Sequence, residues 1–447
     1  MKNVFALIAS IGFYAWGAST FIFIVLGSIV IDFYIVQVMN KKEGKSKRLL
    51  LFASLLINVG LLMYFKYYNF FLENIDSLSQ SWGLGRIYWL KVALPIGISF
   101  FTFQKITYTV DVFRKVHKPL KYVWDYALYI LMFPQLIAGP IVRFNEIADE
   151  IVDRRKNDTL DNKLTGFFRF SLGLAKKVFI ANTLGREADI IFATDAANLD
   201  ATTAWIGVLA YAFQIFFDFS GYSDMAIGLG RMMGFTFPEN FNNPYVSQSI
   251  SEFWRRWHMT LGKWMKDYLY IPLGGNKVSA KRMYINLWIV FIISGFWHGA
   301  AWNFIVWGAF HGFFLVADRL FLLKFYKAIG KYPSILITFF ITLIGWVYFK
   351  AETVDYAHDY ISAMFSFKFS NFLYLFDNKF FTFLIIALIF SFWAVIPGIE
   401  KWQDKIFAVE QKSKTVVLLG FLGIILLIIT AAPIVSSGFN PFIYFRF

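Results

Sequence analysis

Cysteine is absent from this sequence of 447 residues, and charged residues are scarce at 16%. Without cysteine the chain has no disulfide, no thiolate metal site, no cysteine nucleophile and no acyl-thioester formed on the chain itself. The scarcity of charge, together with 58% hydrophobic residues and a mean hydropathy of +0.55, excludes a soluble domain of appreciable size. We therefore predict a polytopic membrane protein with a single membrane-embedded domain over residues 1–447.

Common nucleotide-binding and hydrolytic motifs are missing as well. The sequence has no P-loop, dinucleotide fingerprint, zinc-protease helix or nucleophile elbow, no repeat and no low-complexity tract. We expect no metal cofactor. The net charge of +14 comes from basic residues in loops between apolar runs. Membrane orientation therefore explains the charge better than a nucleic-acid partner does, although an anionic cytoplasmic cofactor could use the same residues.

Apolar runs near the ~20 residues needed to cross a bilayer recur along the whole chain. The first is expected to be a retained helix, because it lacks the small-residue cleavage pattern of a signal peptide. Pro134 and Pro140 interrupt another run, which is expected to be re-entrant or interfacial. The runs cover residues 4–16, 20–39, 49–71, 92–112, 126–141, 166–184, 204–233, 284–297, 302–323, 335–349, 380–396 and 416–434.

The charge of the loops predicts the orientation in the membrane, because cytoplasmic loops carry an excess of Lys and Arg. If the run 126–141 does not cross, the loops alternate consistently over about eleven spans, with the N-terminus inside and the C-terminus outside. The basic loops, predicted to be cytoplasmic, are 40–48, 114–163, 255–282, 324–331 and 400–414. The loops predicted to face outward are 73–88, 186–200 and 351–378.

Polar residues inside the apolar runs are expected to be buried and to have hydrogen-bonding partners. Asp218 and Asp224 are expected to be hydrogen-bonded and to fix helix packing rather than to act directly in catalysis. The neighbouring small residues Gly221, Gly228 and Gly230 would let helices approach closely. A second polar set is expected to be mainly structural, with cavity lining as the alternative: Pro95, Gly97, Gln104, Tyr108 and Asp111.

Two histidines with Trp neighbours, His258 and His298, lie in the stretch 243–303. An ionisable residue within a membrane protein is a functional-site hypothesis, and the alternative is a ring satisfied by a nearby carbonyl. His258 falls in a predicted cytoplasmic segment, whereas His298 ends a short span, so the two approach the middle of the membrane from opposite sides. An enzyme that takes a group from one face and delivers it to the other needs such an arrangement. Of the other histidines, His117 and His358 are expected to be solvated and His311 to be structural.

Five segments together resemble the membrane-bound O-acyltransferases, and in particular the bacterial branch that O-acetylates extracytoplasmic polysaccharides such as alginate and peptidoglycan. The resemblance extends over residues 14–447, although relatives commonly carry a further hydrophobic segment before the one that matches 4–16. The segments are FPQLIAGPIVRF (133–144), DFSGYSDMAIGLGRMMGFTFPENFNNPY (218–245), FWRRWHMTLGKWMKDYLYIPLGG (253–275), SGFWHGAAWNFIVWG (294–308) and NPFIYFRF (440–447).

The resemblance implies an all-α bundle around a central funnel in the bacterial cytoplasmic (inner) membrane, with a catalytic core stretch at 240–303. It implies that His298 is the essential histidine of the family and His258 the second one, on the cytoplasmic side. Members take an acyl group from a cytoplasmic thioester, usually acetyl-CoA in this branch. They pass it outward, often to a separate extracytoplasmic transferase that modifies the polymer.

The chemistry of the residues agrees with this implication. A histidine with a pKa near ~6.5 can remove the proton of an acceptor hydroxyl during attack on a thioester, which is typically worth ~10² to 10⁴ in rate. His298 is the candidate general base, and a covalent acyl-histidine stays open. Asn303 would orient the ring or polarise the thioester carbonyl, or else cap the helix that follows.

The basic segment after His258 supplies candidate ligands for the donor. Arg and Lys commonly bind phosphates, but the excess of positive charge on the cytoplasmic side predicts basic residues here for a second reason. Trp297 would line the acyl tunnel or anchor the helix at the membrane interface. The residues predicted to bind acetyl-CoA are Arg255, Arg256, Trp257, Lys263, Lys266 and Trp297.

We therefore predict an O-acetyltransferase for an extracytoplasmic polysaccharide, resembling the enzymes for peptidoglycan or alginate. D-alanyl transfer to teichoic acid is the nearest enzymatic alternative. A transporter or flippase with a proton relay through His298 and the buried Asp residues is the alternative from another class. The tail 436–447 is predicted to be extracytoplasmic, and Asn440 to Phe447 is a candidate docking segment for a partner transferase.

Overall fold

The structure is a computed structural model that describes residues 2–370, 376–436 and 442. Every regular element in these residues is helical, and the chain divides into two compact units. The first unit is Met1–Asn157 with Gly234–Phe237, and the second is Asp158–Met233 with Pro238–Phe447. The all-α class is thereby confirmed, whereas the single domain and the central funnel stay predictions.

The first unit contains seven α-helices in its described residues. They are α1 Lys2–Gly17, α2 Phe21–Asn40, α3 Gly44–Leu62, α4 Tyr68–Ser81, α5 Ile98–Phe113, α6 Val123–Leu131 and α7 Phe144–Val152. A single π-helical turn, Met63–Tyr67, joins α3 to α4. The nine residues of α6 rise only about 13 Å, too little to cross a bilayer. As predicted for 126–141, this segment does not form a clean helical span.

The second unit begins with α8 Leu160–Ala175, α9 Asn182–Ala193 and the long α10 Ala201–Met232. Short helices follow and then the remaining apolar helices, with π-helical turns at Lys176–Ala181, Lys266–Tyr270 and Asp318–Leu322. These helices are α11 Ile250–Arg256, α12 Met259–Met265, α13 Ala280–His298, α14 Trp302–Ala317, α15 Leu323–Ile329, α16 Lys331–Lys350, α17 Val354–Met364, α18 Asn378–Phe392, α19 Ile399–Phe407 and α20 Ser413–Ser436.

Seven helices of the described residues are long and apolar enough to cross a membrane, which establishes a multi-pass membrane protein. The predicted total of about eleven spans stays a prediction. Helices also occupy parts of the three segments predicted as outward loops, since α4 reaches Ser81, α9 reaches Ala193 and α17 lies within 351–378. The seven are Phe21–Asn40, Gly44–Ser81, Ala201–Met232, Trp302–Ile329, Lys331–Lys350, Asn378–Val395 and Ser413–Val435.

In the first unit, a buried polar cluster surrounds Asp32 of α2. Its carboxylate accepts hydrogen bonds from Ser54, from Asn58 at 3.0 Å and from the Tyr126 hydroxyl at 2.6 Å. The cluster ties α2 to α3 and α6, because a buried carboxylate is costly unless it is hydrogen-bonded. Tyr108 stacks on Tyr126 with ring centroids 4.3 Å apart, so this member of the predicted polar set has a structural contact.

In the second unit, glycines bring helices into backbone contact. A Cβ added at Gly173 of α8 would lie 2.4 Å from the carbonyl oxygen of Gly221 in α10, as expected for Gly221. One at Gly295 of α13 would lie 2.2 Å from the Phe304 carbonyl oxygen in α14. Any side chain larger than hydrogen at these glycines would force the paired helices apart. The second close approach fixes the end of α13, where His298 lies.

Candidate active site

The indole of Trp297 is close to both histidines of interest. Its ring centroid is 4.9 Å from that of His298 and 6.3 Å from that of His258. All three side chains are buried, with at most 5% of their surface exposed. The structure therefore brings the two predicted histidines to the same indole, although 39 residues lie between them in the chain.

His298 is the last residue of α13 and lies among aromatic side chains of three helices. Its ring packs edge-on against Trp307 of α14 at 5.1 Å and against Phe349 of α16 at 5.3 Å. Aromatic walls of this kind restrict the imidazole to few orientations and exclude bulk water. The site therefore suits proton transfer by a fixed ring, as predicted for the general base.

His258 stands between α11 and α12 in a left-handed backbone conformation, with φ +43° and ψ +52°. Its Nδ1 lies 3.0 Å from Oδ1 of Asn240, and its ring packs edge-on against Phe219 at 4.7 Å. Burial lowers the pKa of His258 to about 3. The ring is therefore neutral at physiological pH, and it acts as a hydrogen-bonding group rather than as a cation.

Asn303 does not cap α14, because Ala301 occupies the N-cap position and provides no side-chain hydrogen bond. The Asn303 amide nitrogen instead donates to the carbonyl oxygens of Ala351 at 2.7 Å and Tyr348 at 3.3 Å. These bonds join the start of α14 to the end of α16, which carries Phe349 against His298. The capping alternative is thus wrong, and Asn303 supports the position of an aromatic wall of the site.

The predicted donor-binding residues separate into two groups. Arg255, Lys263 and Lys266 are exposed, as phosphate ligands need to be before binding. Arg256 is engaged within the protein, because its guanidinium pairs with Glu252 at 2.9 Å and with Glu400 at 2.6 Å. The structure therefore gives Arg256 a role in holding α19 to α11, and its binding of a CoA phosphate stays a prediction.

Trp257 also departs from the predicted donor site, because only 3% of its surface is exposed. Its ring packs against Trp346 at 4.8 Å and Phe241 at 5.0 Å, within the aromatic core of the second unit. Trp257 therefore supports the segment that carries His258 instead of facing a donor at the surface. Trp297, by contrast, contacts both histidines, which is consistent with the predicted tunnel wall.

His311 belongs to the same aromatic cluster, as its predicted structural role requires. Its ring lies 5.0 Å from Trp307 and 5.1 Å from Trp254, and it is 1% exposed. His358 is exposed as predicted, whereas His117 is half-buried and packs against Phe144 at 5.7 Å. The expectation of a solvated His117 is therefore only partly correct.

Both buried aspartates of α10 form ion pairs, as expected for structural carboxylates. Asp218 lies 2.5 Å from the Lys177 ammonium, and Asp224 lies 2.7 Å from Arg169 and 2.6 Å from Lys176. Carboxylates neutralised in this way hold α8, the adjoining π-helical turn and α10 together. This arrangement does not favour the proton relay of the transporter alternative.

Of the predicted docking segment Asn440 to Phe447, only Phe442 lies within the described residues. Its ring is 4.9 Å from that of Tyr222, and the Lys177 ammonium lies 4.6 Å from its centroid. In the part of the chain that the structure describes, no group of three or more His, Cys, Asp or Glu side chains is arranged to hold a metal ion.

Asn240 and Trp307 are site residues that the sequence analysis missed. Asn240 holds Nδ1 of His258, and Trp307 separates His298 from His311. The sequence offers no signal that distinguishes Asn240 from Asn242 and Asn243 in the same loop. Trp307 lies nine residues after His298 on the next helix, so its contact depends on how α13 packs against α14.

A multi-pass helical protein with two buried, aromatic-walled histidines has the framework of a membrane-embedded transferase. Comparison with known families agrees, since the sequence model of the membrane-bound O-acyltransferase family matches residues 114–351. The chain belongs to this family and is an O-acyltransferase, which confirms the predicted enzyme class.

Similar proteins extend this result. The chain is 42% identical over 369 residues to a protein of Pseudomonas aeruginosa named "Probable alginate O-acetylase", covering 82% of this chain and 70% of that protein. It is 39% identical over 392 residues to the peptidoglycan O-acetyltransferase of Helicobacter pylori, covering 81% and 73%. A teichoic acid D-alanyltransferase of Streptococcus thermophilus is 32% identical over 251 residues, which are 53% of this chain and 59% of that protein.

Proposed function

We propose that this protein transfers acetyl groups from cytoplasmic acetyl-CoA across the bacterial inner membrane for O-acetylation of an extracytoplasmic polysaccharide. Its relatives support an acetyl group and a polysaccharide, because the two acetylases match more than 80% of the chain. The D-alanyltransferase matches a smaller share at lower identity, so D-alanyl transfer is the weaker alternative. An alginate-like chain or peptidoglycan is the proposed acceptor class.

The observation that carries the proposal is the contact of two buried histidines with one indole. His258 reaches Trp297 from the α11–α12 junction, and His298 reaches it from the end of α13. In the orientation predicted from loop charge, the first belongs to the cytoplasmic side. A thioester that enters beside His258 would thus meet a general base beside the same tryptophan.

The proposed reaction is attack of an acceptor hydroxyl on the thioester carbonyl. His298 accepts the hydroxyl proton as the oxygen–carbon bond forms, the carbon–sulfur bond breaks, and the proton passes to the leaving thiolate to give CoA thiol. The acceptor hydroxyl belongs to the polymer or to a carrier group of a partner transferase. Lys263, Lys266 and Arg255 are the proposed ligands for the CoA phosphates, because their side chains are exposed in the same segment.

The docking of a partner transferase at Asn440 to Phe447 stays part of the proposal. Deleting these residues should uncouple polymer acetylation from acetyl-CoA turnover, because the acetyl group would be activated without reaching its acceptor. Polymer acetylation at the wild-type rate after the deletion would rule the docking role out.

The test is turnover of radiolabelled acetyl-CoA by the purified protein in vesicles, with the polymer and an extracytoplasmic transferase supplied. We expect thioester consumption by the wild type and a loss of about 10²-fold or more in His298→Ala. His358→Ala is the matched control, because this exposed histidine lies outside the aromatic cluster and should leave turnover unchanged. Equal turnover by wild type and His298→Ala would overturn the assigned base. Absence of turnover in the wild type would favour the transporter alternative.

A further inference from the structure

The hydrogen bonds around Asn240 fix which of its amide atoms is the oxygen. The backbone N–H of Thr260 points at this atom from 3.3 Å, and a backbone N–H can only donate. The Thr260 hydroxyl donates to the same atom at 2.8 Å, and the other amide atom donates to the Ser223 hydroxyl at 3.1 Å. If the amide oxygen and nitrogen of Asn240 were exchanged, the amide nitrogen would face the Thr260 N–H, and two donors would oppose each other. Oδ1 is therefore the atom that faces His258.

This orientation in turn fixes the proton on His258. Oδ1 of Asn240 is an acceptor, and Nδ1 of His258 lies 3.0 Å from it. A hydrogen bond at this distance requires that Nδ1 carry the proton, because the amide oxygen has none to give. The neutral ring then has its lone pair on Nε2. No described residue hydrogen-bonds to Nε2, and His258 is only 1% exposed.

The backbone around His258 holds this arrangement in place. The Met259 N–H donates to the Asn240 carbonyl oxygen at 2.9 Å, and the Asn242 N–H donates to the Arg256 carbonyl oxygen at 2.9 Å. These bonds hold His258 in its left-handed conformation, which is unfavourable for a residue other than glycine. Strain that is maintained by several hydrogen bonds is typical of functional positions.

We infer that Asn240 is a positioning residue that holds His258 as its Nδ1–H tautomer and so presents the Nε2 lone pair to an N–H donor of the acyl-CoA arm. This role rests on the proposed function, which places the acyl donor beside His258. A buried acceptor without a hydrogen bond is unfavourable, so a ligand N–H that donates to it gains binding affinity. The pantetheine part of acyl-CoA supplies amide N–H groups of the required kind.

Among the described residues, the rings of Phe219 and Trp297 contact the His258 ring and Asn240 is its hydrogen-bond partner, and none of the three is charged. Asn240→Asp would therefore introduce the first carboxylate in direct contact with Nδ1. A carboxylate at this distance favours the imidazolium, in which Nε2 becomes a donor and no longer accepts the ligand N–H. Acid should then inactivate this variant more steeply, and from a higher pH, than it inactivates the wild type.

The first arm of the test is ¹⁵N NMR of histidine-labelled protein in lipid, with the His258 signals assigned by comparison with His258→Gln. We expect the resting wild type to show a protonated Nδ1 and an unprotonated Nε2. This measurement needs no substrate and no turnover, so its result is independent of the proposed function. The opposite tautomer, or rapid exchange between the two, would overturn the inference.

The second arm is the pH profile of acetyl-CoA turnover. We expect Asn240→Ala to lose about tenfold or more in kcat/KM, because the neutral His258 ring loses the hydrogen bond that fixes its tautomer and orientation. Asn240→Asp should lose activity from pH 8 to pH 6, whereas Asn242→Ala, two residues along the same loop, should follow the wild type. An Asn240→Asp profile parallel to that of the wild type would refute the positioning role.

Discussion

The ammonium group of Lys177 lies 2.5 Å from the carboxylate of Asp218, and their side chains are 8% and 2% exposed. Lys177 belongs to the π-helical turn after α8, and Asp218 lies near the middle of α10. An ion pair so deeply buried stabilises the fold only while both members are present, because burial of either charge without its partner is costly. The pair therefore fixes the register of the two segments.

The first prediction concerns this pair. Lys177→Met or Asp218→Leu alone should lower the free energy of unfolding by about 3–5 kcal/mol, because one charge stays buried without this partner. The double variant should recover most of the loss. Chemical unfolding in detergent, followed by tryptophan fluorescence, measures these values. The control is Arg186→Ala, which removes a largely exposed partner of Glu187. A loss in the double variant equal to the sum of the two single losses would show that the pair is not coupled.

The second prediction concerns the contact between α13 and α14. Gly308→Ala should reduce acetyl transfer about 10- to 100-fold, since its Cβ would lie 2.3 Å from the Phe291 carbonyl oxygen and push α13 away. Displacement of α13 moves His298 relative to Trp307. Gly312→Ala, one turn further along α14, meets its nearest atoms at 3.5 Å and should be tolerated. The rate and the thermal midpoint of both variants are to be compared, and similar rates would contradict the steric argument.

The third prediction separates phosphate binding from ion pairing. Lys263→Gln combined with Lys266→Gln should raise the KM for acetyl-CoA about three- to tenfold at low salt, with a smaller effect at high salt. Lys327→Gln, at an exposed site outside this segment, is the charge-matched control and should change KM little.

Arg256→Gln should act differently, because it breaks the pairs with Glu252 and Glu400. We expect a lower thermal midpoint and a smaller change in KM than in the double lysine variant. A KM effect confined to Arg256→Gln would restore Arg256 as the phosphate ligand.

The fourth prediction follows from the low pKa of His258, which is about 3 in the folded protein against about 6.5 in an unfolded chain. Between pH 3 and pH 6.5 this histidine is protonated in the unfolded state and neutral in the folded state. Its contribution to the free energy of unfolding is therefore fully present above pH 6.5 and is lost as the pH is lowered. The loss should reach about 2 kcal/mol at pH 5, at about 1.4 kcal/mol per pH unit. His258→Gln should lose about 2 kcal/mol less than the wild type over this pH range, because the contribution of His258 is absent. Thermal midpoints of both proteins from pH 7.5 to 5 test it, and parallel curves would exclude His258 as the cause.

The amino-acid pattern alone predicts the helical membrane class, which the structure confirms, and it singles out His258 and His298 as candidate site residues. Runs of apolar residues must form helices in lipid, where the backbone has no other way to satisfy its polar groups. The prediction that Asp218 and Asp224 have buried partners follows from the cost of an unpaired carboxylate. The resemblance to the membrane-bound O-acyltransferases was also readable, because its motifs are long and lie in a fixed order.

Which side chains meet depends on how the helices pack, and the sequence pattern does not predict this. The tertiary structure assigned Arg256 to an ion pair with Glu400 across 144 positions of the chain, and Asn303 to the end of α16. It also selected Asn240 from three asparagines in one loop as the partner of His258. Composition and periodicity state which residues are buried, whereas a hydrogen bond depends on directions and distances between separate segments, and those are set only when the helices pack.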